Sequence, residues 1–98
     1  MTINKIKNGS EMTVALEGRL DTTTAPRLEE ELKSALDGVT ALTWDMSNLA
    51  YLSSAGLRVL LATQKQMNKQ GSMKVIKVNE TIMDIFEVTG FVDVLTIE

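Results

Sequence analysis

The chain has 98 residues, of which 44% are hydrophobic, so it can bury one small core, and we assign residues 1–98 to a single domain. It contains neither cysteine nor histidine, which excludes disulfides, thiolate or histidine metal sites, and Ser-His-Asp or Cys-His catalytic arrangements. The net charge is -3, and the charged residues are scattered along the chain rather than clustered, which argues against nucleic acid as a main partner. No segment approaches the roughly 18 apolar residues of a membrane span, so we expect a soluble cytoplasmic protein without metal or cofactor.

The first two predicted elements form a hairpin. Apolar and smaller or polar residues alternate over 12–17, which predicts a half-buried strand. The turn signal Asn8-Gly9-Ser10 lets residues 3–7 fold back as its partner. Lys5 and Lys7 mark that first strand as a sheet edge.

The next segment, Gly18–Pro26, is predicted to be a loop that enters a helix through cap-forming threonines and a proline in the first turn. The helix is indicated by apolar residues at spacings of three and four: Ala25, Leu28, Leu32, Ala35 and Leu36. Asp37-Gly38 ends it, because glycine accepts the left-handed conformation of a helix terminus.

A strand over 42–46 comes next, followed by a loop that we expect to contain Asp45, Ser47 and Asn48. A long helix then begins near Ala55 and stops at Gln70-Gly71. A serine hydroxyl lies at the mouth of this helix. Ser54 can cap it, or Ser53 can cap it with Ser54 in the first turn.

The last part of the chain predicts a strand over 73–78 and a third helix that is capped by Asn79 and ended by Gly90. The apolar residues of 92–97 form either a short final strand or a cover over the core.

This element order predicts an α/β fold: a mixed sheet of four to five strands, an antiparallel N-terminal hairpin, and about three helices from parallel crossover units. Sites in such sheets collect beyond the carboxyl ends of the strands. The loops Gly18–Thr24 and Ser47–Gly56 leave two of these ends, and right-handed crossovers place them on the same rim.

Three separated motifs accompany this order, namely Gly18-x-Leu20-Asp21, Asp45-x-Ser47 and Ser53-Ser54-Ala55-Gly56-Leu57. Together they make the chain resemble the STAS domain, specifically the bacterial anti-sigma factor antagonists, over almost its full length. Ser53 stands where many members have aspartate, and Ala55 where they have serine or threonine.

The resemblance implies a non-enzymatic antagonist that binds an anti-sigma factor and so releases a sigma factor for transcription. It implies that the anti-sigma factor is often a serine kinase, which phosphorylates Ser54, with Ser53 as the alternative, and that a serine phosphatase reverses this. The phosphate would act by repulsion at the interface, because a helix N-terminus tolerates its charge. The expected partner-binding rim comprises Asp21, Thr22, Thr23, Ser53, Ser54, Ala55, Gly56 and Arg58.

Simpler interpretations stay open for several of these residues. Gly56 is more readily explained by close packing of the helix on the sheet. Asp21 and Asp45 more often stabilise turns than form a paired carboxylate site, and Arg58 is usually solvated. For the whole chain, the alternatives are an unphosphorylated STAS scaffold or signalling subunit and, with less support, a small nucleotide-binding α/β domain.

Overall fold

A computed structural model describes all residues, 1–98, as three helices packed against a four-stranded sheet. The elements in chain order are β1 (Thr2–Asn8), β2 (Glu11–Leu20), α1 (Ala25–Ala35), β3 (Ala41–Leu52), α2 (Ser54–Gln70), β4 (Ser72–Ile76) and α3 (Glu80–Thr89), followed by a 3₁₀ turn at Phe91–Asp93. None of the three helices combines the length and the apolar composition that a membrane span requires.

The strands lie in the order β1-β2-β3-β4. β1 and β2 pair antiparallel, whereas β2–β3 and β3–β4 pair parallel, so the N-terminal hairpin and the crossover units are confirmed. The sheet has four full strands. Residues 92–97 were expected to form either a fifth strand or a cover over the core. Ile97 makes only a single bridge to Val75, and Leu95 is buried in the core.

The core lies on one face of the sheet. Val14, Trp44 and Val75 are directly paired across three strands and fully buried, whereas their neighbours along each strand point to the other face and stay partly exposed. This alternation is the period of a strand with one covered face. The three helices therefore pack on the same side of the sheet.

Two strands are longer than the sequence predicts. Gly18–Leu20 belongs to β2 rather than to a loop, and Asp45, Ser47 and Asn48 lie within β3. The cause is not local, because these residues continue the parallel ladder through two register shifts, which break the regular alternation. By contrast, β4 ends earlier than predicted, at Ile76 instead of residue 78, because Lys77 adopts a positive φ of 56°.

The helix termini follow local chemistry in most places. The Asn79 side chain accepts a hydrogen bond from Ile82 N–H, and Gly90 ends α3 in the left-handed conformation with φ 78°, as predicted. The predicted threonine cap of α1 is wrong. Thr24 occupies the N-cap position without a capping bond, because its hydroxyl oxygen faces the preceding loop, where it accepts from Asp21 N–H at 2.8 Å and donates to the Arg19 carbonyl at 2.8 Å.

Candidate functional site

The loops that follow β2 and β3 start side by side. Leu20 and Leu52 are paired partners at the ends of these strands, and Ser53 N–H donates to the Leu20 carbonyl at 2.9 Å. After β2 the backbone turns through Asp21 into α1, whereas after β3 it enters α2 directly at Ser54. Both helices thus begin at the same rim of the sheet, as the crossover rule predicts.

Asp21 organises the first of these loops. Its Oδ1 accepts hydrogen bonds from the Thr23 hydroxyl at 2.7 Å and from the backbone N–H groups of Thr23 and Thr24 at 3.0 and 3.2 Å. The bonds from Thr23, the hydroxyl first, hold the pKa of the Asp21 carboxyl below its ordinary value. Asp21 therefore stays charged and fixes the start of α1, which is the turn-forming role considered for it.

Arg19 and Tyr51 form a part of the rim that the sequence did not indicate. They are paired across β2 and β3, and the guanidinium of Arg19 lies 4.3 Å from the centre of the Tyr51 ring. Arg19 Nε is also 3.6 Å from Asp21 Oδ2. Only the register of the β2–β3 ladder brings these side chains together, so composition and spacing gave no signal for them.

The two serines have different environments. Ser53 occupies the N-cap position of α2, and its Oγ is buried with neither a capping bond nor any other hydrogen-bond partner. Ser54 is the first helical residue and is exposed. Ser53 therefore occupies the N-cap position, with Ser54 in the first turn, but neither serine side chain makes the capping bond considered for it. An approaching enzyme could reach the hydroxyl of Ser54, whereas that of Ser53 is covered.

The start of α2 is open to an anion. No side chain caps it, and no acidic residue lies in its first turn. The backbone N–H of Leu57 already bonds to the Ser53 carbonyl, which leaves the N–H groups of Ser54, Ala55 and Gly56 without partners inside the helix. These free groups and the helix dipole favour negative charge at this end.

Gly56 explains why this end of α2 lies so close to the sheet. A Cβ atom at this position would be 2.6 Å from Leu52 Cδ1 and 2.7 Å from Leu20 Cγ, closer than carbon atoms pack. Gly56 itself is buried. Its role is therefore in packing, while its neighbours Ser54 and Arg58 face outward.

The remaining rim residues surround the entrance to a groove between α1 and α2. Thr22, Ala55 and Arg58 line this entrance, and Arg58 is exposed with no acidic side chain paired to it. Thr23 is also exposed, although its hydroxyl is occupied by Asp21.

Asp45 lies apart from this rim. It pairs with Ala15 in the middle of β2, whereas Asp21 follows the end of that strand, so the two carboxylates do not form a paired site. The backbone N–H and the hydroxyl of Ser47, with Lys77 contributing less, lower the pKa of Asp45. No group of three or more acidic side chains is arranged to hold a metal ion.

The fold and this rim define a small α/β domain with its helices on one face and an exposed serine at the open start of its second helix. Residues 2–98 match the family model of the STAS domain, and the chain belongs to that family.

Named relatives agree with this assignment. The chain is 30% identical over 92 residues to the anti-sigma-B factor antagonist of Bacillus subtilis, an alignment that covers 93% of this chain and 84% of that protein. The crystal structure of an anti-sigma factor antagonist from Mycobacterium paratuberculosis superposes with a TM-score of 0.88 at 26% identity and covers 98% of this chain and 83% of that one.

SpoIIAA of Bacillus, an anti-sigma factor antagonist, has the same fold at 16% identity. Its unphosphorylated form superposes with a TM-score of 0.85, covering 99% of this chain and 88% of that one. Its phosphorylated form gives 0.77, covering 99% and 91%.

Proposed function

We propose that this protein is an anti-sigma factor antagonist that binds an anti-sigma factor, itself a serine kinase, and is switched off when that kinase phosphorylates Ser54. Binding of the anti-sigma factor would free a sigma factor for transcription, which places the protein in the cytoplasm. A serine phosphatase would restore the active form. The protein acts by binding and catalyses no reaction itself.

The observation that carries this proposal is the contrast between the two serines. Ser54 presents an exposed hydroxyl at the uncapped start of α2, whereas Ser53 Oγ is buried. A kinase must align the accepting hydroxyl with a phosphoryl group, and only an accessible side chain permits this. The occurrence of SpoIIAA in a phosphorylated form adds support from a protein of the same fold.

The charge of the phosphate explains how the switch would work without unfolding the protein. A phosphoserine adds roughly -1.5 to -2 charges, which the free N–H groups at the start of α2 can accept. A partner surface packed against a neutral hydroxyl would then face a dianion beside the Asp21 loop. A change of about 1.4 kcal/mol lowers affinity tenfold, so a modest repulsion suffices to release the partner.

Mass spectrometry after incubation with ATP and a serine kinase anti-sigma factor recovered from the source organism tests the modification. We expect one phosphate, located on Ser54, which is lost in Ser54→Ala and kept in the matched control Ser53→Ala. A phosphate on Ser53 alone would overturn the assignment. A kinase that binds the protein without modifying it would favour the unphosphorylated STAS scaffold, as the departures at Ser53 and Ala55 would suggest.

A second test measures binding directly. Ser54→Asp should weaken binding of the anti-sigma factor by at least about tenfold in isothermal titration calorimetry, while Ser54→Ala should bind like the unmodified protein. Equal affinities for all three would show that the charge at this position does not control the interface.

A further inference from the structure

The start of α2 opens into a groove that continues between α1 and α2. Its first part has a volume of about 590 Å³ and includes Ala55 and Arg58 beside the candidate switch. Its second part reaches Leu36 and Gln66, and the two parts share lining residues, so they form one continuous depression. We call this depression the α1–α2 groove.

The floor of the α1–α2 groove is apolar. Ala25, Leu32, Leu36 and Val59 line it and are buried in the core, and the exposed Ala62 widens it midway along α2 because its side chain is short. A floor of this kind accepts the apolar ridge of another helix, which inserts side chains at spacings of three and four residues.

The α2 wall of the groove is basic, although the protein as a whole has a net charge of -3. The only charged residues of α2 are Arg58, Lys65 and Lys69, and none of them takes part in an ion pair. Arg58 and Lys65 line the groove.

The α1 wall differs in charge from the α2 wall. It carries the carboxylate of Glu29 together with Lys33, whose charge is already paired with Glu30. The unsatisfied positive charge of the groove therefore lies along α2.

We propose that the α1–α2 groove is the docking site for an acidic amphipathic helix of the anti-sigma factor. The apolar face of that helix covers the floor, and its acidic side faces Arg58 and Lys65 rather than Glu29. This inference rests on the proposed function, since it names the part of the partner that the same site receives.

The groove also gives the switch a second way to act. Ser54 lies four residues before Arg58, a spacing that brings side chains together on one face of a helix. A phosphate on Ser54 would compete with the acidic partner helix for this guanidinium. The modification would thus add repulsion and withdraw a cation from the groove.

Two substitutions in the groove test the docking site. Lys65→Glu should lower the affinity for the anti-sigma factor at least tenfold, mainly through slower association at low salt, because charge complementarity acts on the encounter. Ala62→Trp should lower it to a similar extent by filling the groove. Lys74→Glu on β4 and Thr81→Trp on α3 are matched controls at exposed positions outside the groove, and both should stay within about twofold of the unmodified protein.

Thermal unfolding of each variant confirms that it is folded before binding is compared. If Ser54→Asp abolishes binding while both groove variants bind normally, the groove is not the docking site and the phosphorylation switch stands. If the unmodified protein does not bind the anti-sigma factor at all, both proposals are wrong.

Cross-linking identifies the chemistry of the occupant. With a photoreactive benzoylphenylalanine in place of Gln66, an exposed residue at the side of the groove, we expect the anti-sigma factor to be cross-linked through a helical segment rich in aspartate and glutamate. A cross-link to a basic or extended segment would overturn the acidic-helix assignment even if the groove variants weaken binding.

Discussion

The starts of α2 and α3 have nearly the same backbone geometry and opposite chemistry. Ser53 and Asn79 both occupy the N-cap position in an extended conformation, with φ and ψ of -94° and 175° for Ser53 and of -77° and 171° for Asn79. Asn79 accepts from Ile82 N–H and is followed by Glu80 in the first turn, so protein groups complete the start of α3. The start of α2 has no such groups.

This difference separates a structural helix terminus from one that is available to a ligand. The unpaired N–H groups at the start of an uncapped helix reduce the stability of the protein, and a side-chain cap would remove that loss. α2 keeps them at the rim, where an anion attached to Ser54 can use them. The first turn of α2 is instead held to the sheet by the packing of Gly56.

Filling the space at Gly56 should produce the largest effect. Gly56→Val places methyl groups against Leu20 and Leu52, which are too deeply buried to move aside. We expect a loss of about 3 kcal/mol in the free energy of unfolding, measured by urea denaturation. Ala62→Val on the exposed side of the same helix is the control and should change stability by less than about 1 kcal/mol. Equal effects would mean that α2 does not depend on close contact at Gly56.

Removing the cap residues should distinguish the two helix starts directly. Asn79→Ala removes the bond to Ile82 N–H and the 2.8 Å bond that Asn79 Nδ2 donates to the Leu49 carbonyl, so it should cost about 2 kcal/mol. Ser53→Ala removes only a hydroxyl that has no partner and should change stability by less than about 0.5 kcal/mol. A comparable loss for both variants would show that Ser53 caps α2 in solution.

The parts of this structure that the sequence predicted well depend on local chemistry. Asn79 and Gly90 act within one helical turn, so their residue types alone indicated both ends of α3. The N-terminal hairpin was likewise indicated by its own turn and alternation. The later half of β3 was missed, because only the ladder with β2 holds it in a strand.

The candidate site was only partly predictable for the same reason. Its motifs named Asp21 and Ser54, yet the environments of Ser53 and Ser54 depend on where α2 begins to within one residue, which sequence patterns do not determine. The Arg19–Tyr51 contact depends on strand register, and the basic groove depends on how α1 and α2 lie beside each other.

A negative charge at the start of α2 should have a small and favourable effect on stability. Ser54→Asp places a carboxylate in the first turn beside unpartnered N–H groups, so we expect the free energy of unfolding to stay unchanged or to rise by about 0.3–1 kcal/mol. Thermal and urea unfolding measure this. The matched variant is Thr81→Asp in the first turn of α3, where Asn79 and Glu80 already satisfy the helix start and where the gain should be smaller. A loss of more than about 1 kcal/mol for Ser54→Asp would indicate that this end of α2 is closed to anions.

The start of α1 extends the comparison to a helix terminus that depends on pH and should give the smallest effect. Because hydrogen bonds to the charged form lower the pKa of Asp21 in the folded protein, ionised Asp21 favours folding. This contribution is complete above the ordinary value of 3.8 and is lost as the pH falls through the lower folded pKa. Urea unfolding between about pH 5 and pH 2 should therefore show a shallower loss of stability for Asp21→Asn than for the unmodified protein.

Titration of the Asp21 carboxyl by NMR identifies the cause of this pH dependence. The Thr23 hydroxyl is the strongest contributor to the lowered pKa, so Thr23→Ala should move the pKa of Asp21 back toward 3.8. A pKa for Asp21 at or above 3.8 in the unmodified protein would mean that Asp21 does not hold the loop in this way. In that case no charged side chain would stabilise the start of α1.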